Sequence, residues 1–463
     1  MAERRKQSVN GMTAGVIWQQ ILLFFLPILV GSLLQQLYNT ADAMVVGRFV
    51  GTAALSAVGG TTNTIINLII GFFVGLSSGA TVIISQYFGG GDLGEVRRSV
   101  HTALALCLVG GVALMAVGLA ATPWLLRALS TPEDVMSFAV PYLRIFFLGT
   151  IPNLMFNIGS GILRAVGDSK SPLYVLIFCT FCNILLDLVL VAALGLATAG
   201  AALATILSQL FSGILVLRLV HRKGGAFHIV PREIHLHRDL LGRIFYIGLP
   251  AGLQSVMYAL SNLIIQAGVN SFGTGTIASW TVFGKIDAIF WIIIDSFSVA
   301  VTTFIGQNYG ANKMARVKKG VKVCLLMGFI ITFALSGALY FLGGHLTVLF
   351  TDDPWVINRA TEIMQFQVRF FFTYVCIAVL ASALRAVGDS ILPTVLICIG
   401  VCGVRVVWVM LIAPHLPNIL EWTVCCYQIS WAITSLMFLV YYRFFAPIRE
   451  RLRGITREEE QAA

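Results

Sequence analysis

Charge is what this chain has least of: only 11% of its 463 residues are Asp, Glu, Lys or Arg, against about 25% in an average soluble protein. With 58% of the residues hydrophobic, a water-facing surface of ordinary size cannot be assembled, and lipid is the solvent for most of the chain. Other things are missing too. No GKS or GKT follows the glycines Gly89, Gly90 and Gly91, and no strand precedes them, so they read as a turn closing a helix and ATP is not indicated. No nucleophile and base pair or metal-ligand cluster stands out, which argues against an enzyme. The nine cysteines are scattered through apolar runs. Cys179 and Cys182 form a lone CxxC without a second ligand pair, so they read as small buried apolar residues and not as a zinc or redox site. A cleavable signal is also absent, because the first apolar run is too long and lacks a small-residue cleavage site, so it is expected to stay as a spanning helix.

What the chain does have is a succession of apolar runs long enough to cross a hydrocarbon core of roughly 30 Å as helices. Twelve are expected, at about 17–45, 54–86, 97–121, 137–163, 172–195, 199–220, 243–271, 276–307, 320–342, 360–384, 393–413 and 420–445. Backbone groups left unpaired in lipid would be costly, so helices or a closed barrel are required. The runs are continuous and not alternating, which excludes the barrel. The fold class is therefore all-α integral membrane, with twelve spans.

The net charge of +10 raises the question of nucleic acid, and the positions of the basic residues answer it. Of the 31 Lys and Arg, 24 fall on alternate loops: the amino-terminal tail, the 2–3, 4–5, 8–9 and 10–11 loops, the connector between spans 6 and 7, and the carboxy-terminal tail. The positive-inside rule makes that side cytoplasmic, with both termini inside. A nucleic-acid partner would need one contiguous basic face, which this pattern does not supply.

The string LRAVGDS occurs twice, at 163–169 and 384–390, an offset of 221, and each copy is followed by a proline, Pro172 and Pro393. The same offset carries SQYFGGGDLGEVRRSV (85–100) onto GQNYGANKMARVKKGV (306–321), matching Gln86 with Gln307 and the pair Arg97 and Arg98 with Lys318 and Lys319. Six spans per half return the chain to its starting side, so the halves are parallel repeats about an axis along the membrane normal. The expected organisation is an amino-terminal lobe at 1–220, a cytoplasmic linker at 221–242, and a carboxy-terminal lobe with its tail at 243–463. The linker's histidines, His221, His228, His235 and His237, lack cysteine or carboxylate company and read as a solvated connector. A period this long in so apolar a chain points to two-lobed transporters that bind cargo between their repeats.

Polar side chains within spans are the functional candidates, since a central charge costs about 2.5 to 3.5 kcal/mol on insertion scales. Asp187 lies 15 residues past Pro172, which at about 1.5 Å per residue raises it roughly 22 Å from the cytoplasmic side. Asn183 stands one turn below it on the same face. Thr205, early in span 6, and Asp42, late in span 1, reach the same outer depth. Carboxylate, amide and hydroxyl oxygens from three spans suit a hard cation such as Na⁺, whereas a carboxyl in low dielectric beside another suits H⁺; both remain open. The second half holds Lys285, Asp287, Asp295, Arg369 and Arg405, read most simply as neutralising pairs, with Asp287 and Asp295 as possible cargo contacts. Pro27 in span 1 and the matching Pro250 in span 7 are candidate hinges. Gly71, Gly75 and Gly79 mark a helix face open to close packing.

Several strings together carry a family resemblance: LPILVGSLLQQLYNTADAMVVGRFVG in span 1, the LRAVGDS entry to span 5, NILLD at 183–187 and GAALATILSQ at 200–209. The chain resembles the bacterial multidrug and toxic compound extrusion (MATE) transporters over about 17–445. The resemblance implies a V-shaped pair of six-helix bundles and export of organic cations or amphipathic drugs and metabolites across the cytoplasmic membrane. It also implies an inward gradient of Na⁺ or H⁺ as energy source and no other cofactor. The positions matching the family's cation site are Asp42, Asn183, Asp187 and Thr205. One branch places carboxylates in spans 7 and 10, where this chain has Tyr258 and Tyr374, a departure that counts against a second cation site. The expected partners are the lipid bilayer and a small organic cation or amphipathic substrate, handled by a monomer. The rival readings are a flippase or exporter of a lipid-linked or polyanionic cargo, which would want a more basic cavity than Lys285, Arg369 and Arg405 provide, and a non-transporting membrane receptor or scaffold.

Overall fold

The computed structural model describes residues 12–129, 131–417 and 419–446, so the tail residues Arg4, Arg5 and Lys6, the arginines beyond Arg443, and both termini lie outside the described residues. All regular secondary structure among the described residues is helical. Among the described residues ten helices are long and apolar enough to span a bilayer, and two bent pairs raise the number to twelve if each pair is one span. The chain is thus a multi-pass membrane protein, and its spans follow the twelve apolar runs read from the sequence.

In chain order the helices are α1 (Ile17–Phe49), α2 (Thr52–Gly59), α3 (Thr61–Gly90), α4 (Leu93–Ala128), α5 (Glu133–Leu148), α6 (Thr150–Ala165), α7 (Lys170–Asp187) and α8 (Ala197–Arg222) in the first repeat. The second repeat has α9 (Arg238–Asn270), α10 (Thr274–Gly310), α11 (Met314–Thr347), α12 (Pro354–Val368), α13 (Val375–Ala386), α14 (Ile391–Ile397), α15 (Val404–Val407), α16 (Leu420–Val424) and α17 (Cys426–Phe444). The runs at 137–163 and 360–384 are the two bent spans. The first turns by 50° between α5 and α6, at Gly149, and the second by 45° between α12 and α13, where the helix tightens to a 3₁₀ turn at Phe371–Tyr374. α1 and α9 run on through Pro27 and Pro250 as single helices.

Two compact units emerge, Leu23–Gly252 and Leu253–Ala463 together with Met1–Leu22. The connector belongs to the first. Phe227 joins its core against Phe88, with ring centroids 6.1 Å apart. Glu233 accepts two bonds from Arg97, at 2.6 and 2.7 Å, and Asp239 accepts from Arg98 at 2.9 Å. His101 Nε2 accepts from the Val230 amide at 3.1 Å, and Thr102 meets His237 Nδ1 at 2.9 Å. The linker is therefore tied to the start of α4; His228 and His235 are exposed, while His221 and His237 are half-buried, His221 Nδ1 accepting from the Ile229 amide at 3.2 Å.

Within the same unit α3 crosses the first part of α9 at backbone contact. A Cβ on Gly75 would sit 2.5 Å from the Gly252 nitrogen, and one on Gly79 would sit 2.4 Å from the Ile244 carbonyl oxygen. Only glycine lets two helix backbones approach so closely.

The duplicated LRAVGDS string builds the same turn twice. Gly167 (φ 88°) and Gly388 (φ 96°) take the left-handed conformation that ends a helix. The amide of the following aspartate closes on the carbonyl of Leu163 at 2.9 Å and of Leu384 at 3.0 Å. Beyond each turn the next span widens into π-type winding, at Leu188–Ala193 in the first repeat and at both Cys398–Gly403 and Trp408–Ile412 in the second.

Candidate functional site

The face of α7 decides what collects in the first unit. Thr180, Asn183 and Asp187 recur at helical spacing, and each carries a buried polar atom with no hydrogen-bond partner: Oγ1 of Thr180, both amide atoms of Asn183 and both carboxyl oxygens of Asp187. Asn183 and Asp187 are fully buried, and Asp42 and Thr205 nearly so. The Asp42 carboxyl on α1 faces that of Asp187. Its Oδ1 is likewise unpartnered. Tyr38, one turn before Asp42, reaches Thr205 on α8, whose own hydroxyl donates to the Ala201 carbonyl at 3.0 Å. Tyr142 from α5 stands against Asp42, Tyr38 and Asp187. Among the described residues no basic group neighbours either carboxyl.

Asp42, Asp187 and Thr205 thus come together, Thr205 by way of Tyr38, and Asn183 presents its amide one turn along α7. Tyr38 and Tyr142 were not readable as members. Tyr38 had one usable signal, its position four residues before Asp42; Tyr142 had none, since a tyrosine in a span passes for an apolar residue. Just past Asp187 the wider winding of Leu188–Ala193 begins, a local irregularity that recurs at functional sites in helices.

Chemically the cluster is rich in oxygen donors. Two facing carboxyl groups in an apolar surround cannot both be charged unaided. Oδ1 of Asp42, both oxygens of Asp187 and Oδ1 of Asn183 offer the donors a hard monovalent ion would take.

The second unit arranges its charges differently, and the expected mutual pairing gives way to other partners. Arg369 lies over the Tyr340 ring at 5.3 Å and donates to its hydroxyl at 3.3 Å. Asp287, half-buried on α10, accepts from Trp291 Nε1 at 2.9 Å. Arg405 is buried over the rings of Tyr427 and Trp431, at 4.2 and 5.7 Å. Lys285 and Asp295 are exposed. The physical reason is that an aromatic face serves each of the two arginines and an indole N–H serves Asp287, while the opposite charges in contact in this unit are Arg359 with Glu362 and Glu421, both at 2.8 Å. Tyr258 and Tyr374 meet through their hydroxyls at 3.2 Å.

A multi-pass helical protein made of two sequence repeats, with a buried carboxyl pair in the first, has the organisation of a two-lobed membrane transporter. The chain belongs to the MatE family, whose model matches residues 27–189 and again 250–411, once in each repeat. It is 26% identical over 435 residues to the probable multidrug resistance protein YoeA of Bacillus subtilis, covering 92% of this chain and 94% of that one. It is 25% identical, again over 435 residues, to the multidrug export protein MepA of Staphylococcus haemolyticus, covering 91% and 94%. Among solved structures, a MATE transporter in its bent conformation superposes with a TM-score of 0.88 at 20% identity, over 97% of this chain and 99% of that one, a likeness of fold.

Proposed function

We propose that this MATE transporter is an antiporter that exports organic cations or amphipathic toxic compounds across the bacterial cytoplasmic membrane in exchange for Na⁺ or H⁺. The observation that carries the reading is the facing pair Asp42 and Asp187, buried and, among the described residues, without a basic neighbour. An inward-moving cation neutralises the pair and draws in Asn183 and Thr205. The resulting arrangement of the first lobe binds cargo less well, and by linkage cargo must weaken the ion to the same extent. Export of drugs is supported by the names of the relatives, multidrug resistance and multidrug export proteins.

In this reading 1–220 and 243–463 work as the two lobes and 221–242 as a cytoplasmic linker, with both termini inside and the monomer as the working unit. Pro27 and Pro250 are the hinges, each leaving a backbone carbonyl without its helical donor. Asp295, exposed in the interior of α10, and Asp287 contact the positive charge of the cargo, since a carboxylate at that depth needs water or a cation and not lipid. A polyanionic cargo is disfavoured by the burial of Arg405 beneath aromatic rings.

The test is uptake of a fluorescent organic cation into everted vesicles, with a Na⁺ gradient and a pH gradient imposed separately. Asp42→Asn and Asp187→Asn are expected to insert normally and to lose gradient-driven uptake by about 5- to 150-fold, the usual span of coupling between sites. Undiminished uptake by both variants removes the proposed site.

A further inference from the structure

The first lobe's ion site is built from the first, fifth and sixth spans of its repeat: Asp42 on α1, Asn183 and Asp187 on α7, Thr205 on α8. The same three spans of the second repeat hold no such set. With Pro27 placed on Pro250, Asp42 falls on Ile265; with Pro172 placed on Pro393, Asn183 falls on Val404, Asp187 on Trp408 and Thr205 on Cys426. What these spans hold is Arg405, 1% exposed, in the short helix between two stretches of π-type winding, Cys398–Gly403 and Trp408–Ile412; the second of these corresponds in register to the winding at Leu188–Ala193 that follows Asp187.

The contacts of Arg405 come from the counterpart spans as well. Its Nε donates to Ser430 Oγ on α17 at 3.1 Å, and its Nη1 donates to Asn262 Oδ1 on α9 at 3.5 Å. The guanidinium lies over Tyr427 and Trp431, both on α17. Nη2 is buried without a hydrogen-bond partner. Asp287 is an electrostatic neighbour of Arg405, but its carboxylate bonds Trp291. A guanidinium serving only to fill space or brace helices would be strongly destabilising when buried without a carboxylate in contact. Aromatic faces and neutral oxygens around an uncompensated charge are the surroundings of a bound cation.

We propose that Arg405 is a tethered cation: in the second repeat its guanidinium takes the place that the exchangeable coupling ion takes in the first. The second lobe is then loaded throughout the cycle, and the transporter exchanges its inorganic ion at Asp42 and Asp187 alone. Arg405 is a positioning residue in this inference, its contacts being Ser430, Asn262, Tyr427 and Trp431. The inference rests on the ion-coupled reading of the first lobe.

The test compares wild type, Arg405→Gln, Arg405→Lys and Asp187→Asn in proteoliposomes, with melting temperature in detergent measured alongside and the coupling ion, Na⁺ or H⁺, varied. Arg405→Gln keeps a hydrogen-bonding head without the charge. It is expected to melt no lower than wild type, because replacing a buried charge by a neutral group is often neutral or stabilising, and yet to lose gradient-driven uptake at least about fivefold. Arg405→Lys restores the charge and most of the uptake. For a folded Arg405→Gln, loss of uptake that merely follows a lower melting temperature, or wild-type uptake, overturns the inference. Should Arg405→Gln fail to fold, Arg405→Lys decides: retained uptake supports a charge role, and lost uptake assigns the residue to its bonding fork instead. Asp187→Asn separates the two readings. If it leaves the ion's effect on melting and uptake intact, the ion-coupled reading itself fails; if it abolishes that effect while Arg405→Gln exports normally, only the tethered cation fails.

Discussion

Asp168 and Asp389 hold the same place in a duplicated turn but not the same company. Asp168 takes the Lys223 ammonium at 2.7 Å, together with the amide and hydroxyl of Ser171 at 3.0 and 2.8 Å, whereas Asp389 accepts from the Tyr441 hydroxyl at 2.6 Å. Burial pushes both carboxyls up. At Asp168 the lysine and the Ser171 donors outweigh it and hold the group below the usual carboxylate range, while at Asp389 burial prevails over the tyrosine. For a lowered carboxyl the stabilisation is fully present above the unfolded value of about 3.9 and is lost as pH falls through the lowered folded value. Asp168→Asn is therefore expected to cost about 1 kcal/mol at neutral pH, read as a lower melting temperature in detergent. The gap to wild type should close in acid below the usual carboxylate range. A gap that persists there would show that the ion pair is not its source. The turn itself was legible, since LRAVGDS repeats with its glycine and proline in register, but its partners were not, because Lys223 and Tyr441 are unlike residues brought in by folding. Asp42, Asn183, Asp187 and Thr205 were legible for the opposite reason, as polar groups in apolar runs stand out one residue at a time.

At the scale of elements the crossing of α3 with the first part of α9 is the contact most exposed to a single change. Gly79 faces the Ile244 carbonyl oxygen and the Gly248 nitrogen, and a Cβ on Gly248 would in turn sit 2.4 Å from the Leu76 carbonyl oxygen. A Cβ at either glycine therefore meets backbone, which cannot swing aside as a side chain can. Gly79→Val is expected to destabilise by about 1 to 3 kcal/mol, the ordinary cost of overpacking. The measurement is thermal melting of the purified protein, with Gly91→Ala as a comparison: Gly91 lies in open space, so only its left-handed backbone resists the change. Equal losses at the two positions would mean that close approach is not what Gly79 provides. The spacing of Gly75 and Gly79 was readable as a packing face, but the partner helix was not, because a small-residue stripe specifies closeness without naming a neighbour. The bends at Gly149 and after Arg369 stayed hidden for a related reason. Hydropathy is continuous across both, and a change of axis within an apolar run leaves composition untouched.

For the molecule as a whole, duplication followed by divergence explains both what the two repeats share and where they part. Turn geometry, π-type winding and the order of spans are common to both, while the first repeat keeps buried carboxyls and the second a buried guanidinium. The shared features were visible in the sequence because backbone constraints preserve glycine, proline and apolar period. The divergent ones were visible only as unmatched charges, whose aromatic and hydroxyl partners needed the fold to bring them together. The positive-inside reading sets the expected sidedness, with the basic loops of both halves on one face of the bilayer. Arg232, exposed in the connector, and Asp352, exposed between α11 and α12, should then lie on opposite faces. With the nine native cysteines replaced, a single cysteine at Arg232 is expected to react with a membrane-impermeant maleimide in everted vesicles and not in intact cells. A cysteine at Asp352 should show the reverse pattern. Reaction of both from the same side would break the parallel arrangement of the repeats, since an even number of spans in each half is what places the connector inside and the loop before α12 outside.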